Sequence, residues 1–107
     1  MDSIEISVQE AAALLQSSAD VRLIDVREDF EREICCIKSS QQLTETLAED
    51  MIQNWDRGQQ IVFQCHHGGR SRAAAEYFIQ QGFSQVRNLN GGIDAWSREI
   101  DPSLARY

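Results

Sequence analysis

Polar and apolar residues alternate along the chain in two rhythms. Val8, Ala11, Ala12 and Leu15 stand at i, i+3, i+4 and i+7, one face of a helix. Ser7-Val8-Gln9-Glu10 in front of them is a capping box, with Ser7 as the N-cap and Glu10 reaching back. Leu43, Leu47, Met51 and Trp55 recur every fourth residue and predict a second amphipathic helix ending near Arg57-Gly58. The stretch Ser71–Gln81 predicts a third, with Ser71 as N-cap, Ala74, Tyr77 and Phe78 inward, and Gly82 just past its end. Between these lie strand-like runs: Ile4–Ile6, Val21–Val26, Ile61–Phe63 and Val86–Leu89. Ile61-Val62-Phe63 is too apolar for a half-exposed strand and suits the centre of a sheet covered on both faces. Arg27–Ile34 reads as a short charged helix or turn. Asn90-Gly91-Gly92 turns the chain into a last short helix carrying Ile93, Trp96 and Ile100, and residues 101–107 form a tail. Trp55 and Trp96 read as core aromatics.

Strands alternating with helices predict an α/β sandwich: a mostly parallel sheet with helices on both faces. In such sheets ligands bind outside the carboxyl ends of the strands. At 107 residues, with one proline and six glycines, the chain reads as one domain over 1–107 without an internal linker. No apolar run reaches the roughly 20 residues of a membrane span. Met1-Asp2-Ser3-Ile4-Glu5 lacks the basic and apolar regions of a secretory signal. Three cysteines, two of them adjacent at Cys35 and Cys36, are not a disulfide framework, so a cytoplasmic setting is expected.

Charge narrows the partners. A net charge of −7 argues against nucleic acid and against an anionic membrane surface. Yet no acidic residue occurs from Arg57 through Ala75, where Arg57, Arg70 and Arg72 stand with His66 and His67. Cys65 lies inside this locally positive window, at the end of the most apolar strand.

The chemistry converges on Cys65-His66-His67-Gly68-Gly69-Arg70-Ser71. An ordinary thiol has a pKa near ~8.5 and is mostly protonated at neutral pH. A helix start after the loop turns its positive end toward the sulfur. Gly68 and Gly69 allow the backbone angles with which successive N–H groups form an anion-binding nest, and Arg70 adds a full charge. These features favour a thiolate at Cys65 that attacks an electrophilic centre carrying an anionic leaving group. His66, His67, Gly68, Gly69, Arg70, Ser71 and Arg72 are the candidate substrate-binding residues. Arg72, in the first helical turn, opposes the helix dipole, which favours a substrate or ion-pair role. Asp25 and Arg27 are expected to brace the loops around the site. Adjacent His66 and His67 do not supply the four ligands of a metal centre, and no metal is expected.

Three segments together resemble the rhodanese family of sulfurtransferases: Leu23-Ile24-Asp25-Val26-Arg27-Glu28, the Cys65–Ser71 loop, and Asn90-Gly91-Gly92-Ile93-Asp94-Ala95-Trp96. The resemblance covers essentially the whole chain. It implies a five-stranded parallel α/β fold and a Cys65 persulfide that takes a sulfane sulfur from a donor such as thiosulfate and hands it to a nucleophile. Donor and acceptor would be small molecules or proteins, with no cofactor. It also implies that the last helix, with Trp96, is structural. Four residues separate Cys65 from Arg70, one fewer than in the phosphatase and arsenate-reductase relatives, and a tighter cradle suits a sulfur atom better than a tetrahedral phosphate. The two alternatives are that phosphatase-like chemistry and a rhodanese-like binding module with little turnover. The chain departs from the family at Ile34-Cys35-Cys36-Ile37-Lys38-Ser39-Ser40, where the family has a Gly-His-Ile-Pro-Gly-Ala-like stretch. Cys35 and Cys36, with no glycine cradle after them, are expected to be dispensable for sulfur transfer.

Overall fold

The computed structural model describes residues 4–18 and 20–107. The reading of the first residues as no secretory signal lies in part outside them. Five strands alternate with five helices: β1 (Glu5–Ile6), α1 (Val8–Ser17), β2 (Arg22–Asp25), α2 (Asp29–Ile34), β3 (Gln41–Gln42), α3 (Glu45–Asn54), β4 (Ile61–Gln64), α4 (Gly69–Gln80), β5 (Val86–Leu89) and α5 (Gly92–Glu99).

The strands form one sheet in the order β1-β5-β4-β2-β3, and every pairing is parallel. Parallel neighbours need crossovers, and the crossovers cover both faces. On one face Val8 and Ala11 of α1 and Ile93 and Trp96 of α5 pack against Leu23 and Val62. On the other, Met51 of α3 and Ala75 and Phe78 of α4 pack against Ile24, Ile61 and Phe63. All four residues of β4 are buried, as expected for the central strand. The chain moves from β2 to the β3 edge, then returns to the other side of β2 as β4. Cys65 leaves β4 at this reversal of strand order, where open α/β sheets form a crevice.

The capping box at Ser7 is complete: its hydroxyl accepts from the Glu10 N–H, and its own N–H donates to the Glu10 carboxylate. Four local expectations differ from the structure. The strand directly before α3, β3, consists of two glutamines that sequence hydropathy does not mark; it is held by pairing with Ile24 and Asp25. Helix α4 begins at Gly69 with Gly68 as N-cap, so Ser71 is not the cap. Its inward face runs Ser71, Ala75, Phe78, which leaves Tyr77 exposed. Trp96 is buried, whereas Trp55 is half-buried under the Arg22 guanidinium, 4.1 Å from the ring centre.

Candidate active site

Cys65 is 1% exposed and its sulfur is ringed by donors. The Gly68 N–H lies 3.1 Å from Sγ and the Ser71 N–H 3.4 Å. Gly68 reaches this position with φ +110°, a conformation an L side chain resists. Burial pushes the thiol pKa up. Hydrogen bonds from the surrounding loop, those of the Ser71, Gly68 and Arg70 N–H groups among them, outweigh it, so the pKa falls below the ordinary value. The Ser71 hydroxyl has one proton, however. It sits 2.5 Å from Asn88 Oδ1 and 3.4 Å from Sγ, so Asn88 holds that proton and the backbone donors carry the thiolate. Asn88 Nδ2 in turn donates to the Gly68 carbonyl at 3.0 Å and fixes the loop from below.

The loop is clamped from the other side by α5. The Ile93 N–H donates to the Cys65 carbonyl at 2.8 Å and the Asp94 N–H to the His66 carbonyl at 3.1 Å. Gly92, at φ +62°, presses against both carbonyls, and a Cβ there would overlap them. The start of α5 therefore holds the site in shape, at a close approach that only glycine at position 92 permits.

The locally positive window does not survive folding as a free positive field. Arg57 lies beyond the opposite end of β4 and donates to carbonyls at the ends of α3 and α4. Arg72 pairs with Glu5 at 2.5 Å and with Glu76 at 3.2 Å. Arg70, nearly half exposed, makes a two-pronged pair with the buried Glu31, at 2.8 and 2.9 Å. Glu31 also accepts from the Glu28 N–H at 2.9 Å and the Tyr107 hydroxyl at 2.8 Å. The Arg70 guanidinium, more than burial opposes, holds the Glu31 carboxyl down at about 2. Glu31 was not singled out because it sits in a charged run; its one sequence signal is the Glu28-x-x-Glu31 spacing of a capping box, which the structure forms.

Asp25 and Arg27 are fully interior partners. Arg27 grips Asp25 at 2.9 and 2.8 Å and donates to the carbonyls of Glu31 and Cys35 and to the Tyr107 hydroxyl. Arg32 adds a second cation to Asp25 at 2.5 Å. The atypical segment after α2 is thus tied to the end of β2. Beside Cys65, Gln64 is wholly buried, and neither end of its amide has a partner among the described residues.

His66 is stacked between His67 and Tyr107, each at 3.9 Å between ring centres. Burial, then the neighbouring His67, lowers its basicity. One ligand atom each of His66, His67 and Asp94 lie within 4.8 Å of one another, a grouping that adjacency alone did not show. The two rings are only 29° from parallel, so their in-plane lone pairs do not converge on one ion at the ~2.0–2.1 Å that zinc requires. Asp94 is also engaged by Arg106 at 3.1 Å and Arg98 at 3.3 Å. The grouping is a stack beside an ion-pair network, not a ligand set. Gly69, at the first position of α4, has open space around it.

Comparison with known proteins agrees with this architecture. The family described as Rhodanese-like domain matches residues 7–99. A rhodanese-like domain protein from Staphylococcus aureus is similar at 25% identity and a TM-score of 0.75, covering 96% of this chain and 97% of that one. A protein of unknown function from Rhodopseudomonas palustris, described as a possible tyrosine phosphatase, is similar at 27% identity and a TM-score of 0.74, covering 92% and 80%. The human single domain sulfurtransferase TSTD1 shares the fold at 22% identity and a TM-score of 0.78, covering 92% and 98%. With its parallel five-stranded sheet, its cysteine loop after the central strand and a family match across most of its length, the chain belongs to the rhodanese-like domain family.

Proposed function

We propose that the chain is a sulfurtransferase that carries a sulfane sulfur on Cys65. The observation that carries this reading is the convergence of the Gly68 and Ser71 N–H groups on a buried Sγ whose pKa is lowered. The Cys65 thiolate attacks the sulfane sulfur of a donor. A new S–S bond forms, the donor's own bond to that sulfur breaks, and the leaving group departs with the electron pair. The resulting Cys65 persulfide keeps its negative charge within the same ring of N–H donors. An acceptor nucleophile then attacks the outer sulfur, and the Cys65 thiolate leaves with the pair. Each step moves charge between sulfur atoms that the cradle stabilises, which is where fixed donors help most. Donor and acceptor are small molecules or proteins. Three unpaired cysteines fit a reducing, cytoplasmic setting, and among the described residues no helix is long and apolar enough to cross a membrane.

Excess sulfane-sulfur donor, thiosulfate or methanethiosulfonate, should add one sulfur to the intact mass, and cyanide should remove it. A Cys65→Ser protein that still gained the sulfur would overturn the assignment. A second reading, phosphoryl transfer, has the possible phosphatase among the similar structures in its favour. Against it stand the short loop and an Arg70 committed to Glu31. Hydrolysis of an aryl phosphate at a rate comparable to sulfur transfer would restore it.

A further inference from the structure

The cations around Cys65 are paired with carboxylates in a pattern that bears on donor charge. At the carboxyl ends of β2 and β4, Arg27 and Arg32 share Asp25, Arg72 has Glu5 and Glu76, and Arg70 has Glu31. Only the last of these pairs includes a residue of the cysteine loop. Glu31 is nearly buried, and its carboxylate is saturated by Arg70, the Glu28 N–H and the Tyr107 hydroxyl. For Arg70 to swing to an incoming anion it would have to strand this carboxylate without its cation, which is costly away from water. Left in place, the pair presents a dipole of zero net charge.

We propose that Glu31 is a specificity-determining residue: by holding Arg70 in a closed pair it leaves the cradle to its backbone N–H groups, and the site favours neutral or singly charged sulfane-sulfur donors over dianions such as thiosulfate. The proposal rests on the sulfur-transfer reading. The backbone donors suit one sulfur-centred charge, because they converge on Sγ. A second charge at the far end of the donor meets no free guanidinium. Organic persulfides and thiosulfonates fit this pattern; thiosulfate fits it less well.

Methanethiosulfonate and thiosulfate make the matched probes, since a methyl group in one replaces a charged oxygen in the other. The quantity to read is the ratio of kcat/KM for thiosulfate to kcat/KM for methanethiosulfonate, in the wild type and in Glu31→Gln. Intrinsic donor reactivity cancels in the comparison. Glutamine keeps the shape and frees the Arg70 charge, so the ratio should rise by about fivefold or more, the pull of one added unit charge on one extra unit charge near the surface. An unchanged ratio in a folded variant overturns the proposal. The wild type supplies an independent reading should the variant not fold. Its kcat/KM for thiosulfate should be flat or rise with ionic strength, and a steep fall, the mark of a free cation reading a dianion, overturns it. If neither donor loads Cys65, the sulfur-transfer reading fails and this one with it.

Discussion

Cys65 and Cys35 are both buried, at 1% and 8% exposure, yet their surroundings differ in kind. Cys35 follows α2 and packs with Val21, Leu23, Ile37 and Val62. Cys65 follows β4 and meets N–H groups from Gly68 and Ser71. Burial by itself disfavours a thiolate, so depth does not make a cysteine a nucleophile. What separates the two is a loop whose backbone donors point inward and whose shape is fixed from outside, by Asn88 below and α5 above.

The comparison breaks most visibly at the sulfur. Followed by ultraviolet absorbance across pH, a thiolate should appear below the ordinary thiol range, vanish in Cys65→Ser and persist in Cys35→Ser. The sign follows from the lowered pKa: the reactive form is present above the folded-state value and is lost as pH falls through it. A low-pH thiolate that survives Cys65→Ser would place the activated sulfur elsewhere.

A smaller perturbation acts on the shape of the loop. Gly92→Ala puts a methyl group into the carbonyls of Cys65 and His66 and forces an L residue to φ +62°. The left-handed conformation alone costs roughly 1–2 kcal/mol, and the overlap adds to it. Thermal denaturation should show a clear loss of stability, with slower sulfur loading in whatever remains folded. Normal loading at normal stability would mean that the clamp is not needed.

The smallest effect is expected at Ser71. Because Asn88 holds the hydroxyl proton, Ser71→Ala should cost about 1 kcal/mol of stability, the worth of one hydrogen bond, and move the Cys65 titration only slightly. A large upward movement of the midpoint would show that the hydroxyl serves the sulfur instead.

Much of this was legible in the sequence because the residues involved act locally. The capping box at Ser7, the apolar run Ile61–Phe63 of β4 and the glycine loop after Cys65 announce themselves within a few positions. The inward face of α4 was misread because Ser71, which is polar, is one of its buried residues; apolar counting selected Tyr77 instead. β3 escaped notice because two glutamines become a strand only through β2. That Arg70 pairs with Glu31 and Arg72 with Glu5 was not legible, because these partners lie 39 and 67 residues away in sequence. Asn88 and Tyr107 were passed over for the same reason: their roles exist only once β5 and the tail reach the loop.

The clamp by α5 also has a kinetic meaning. The amide protons of Ile93 and Asp94 are spent on the carbonyls of Cys65 and His66, so they exchange with solvent only when loop and helix part. The loop after β4 cannot loosen while the first turn of α5 stays docked, nor can that turn fray alone. Two segments separated by more than a strand and a helix therefore open as one cooperative unit, and the exchange rates of those two amides time the opening of the site.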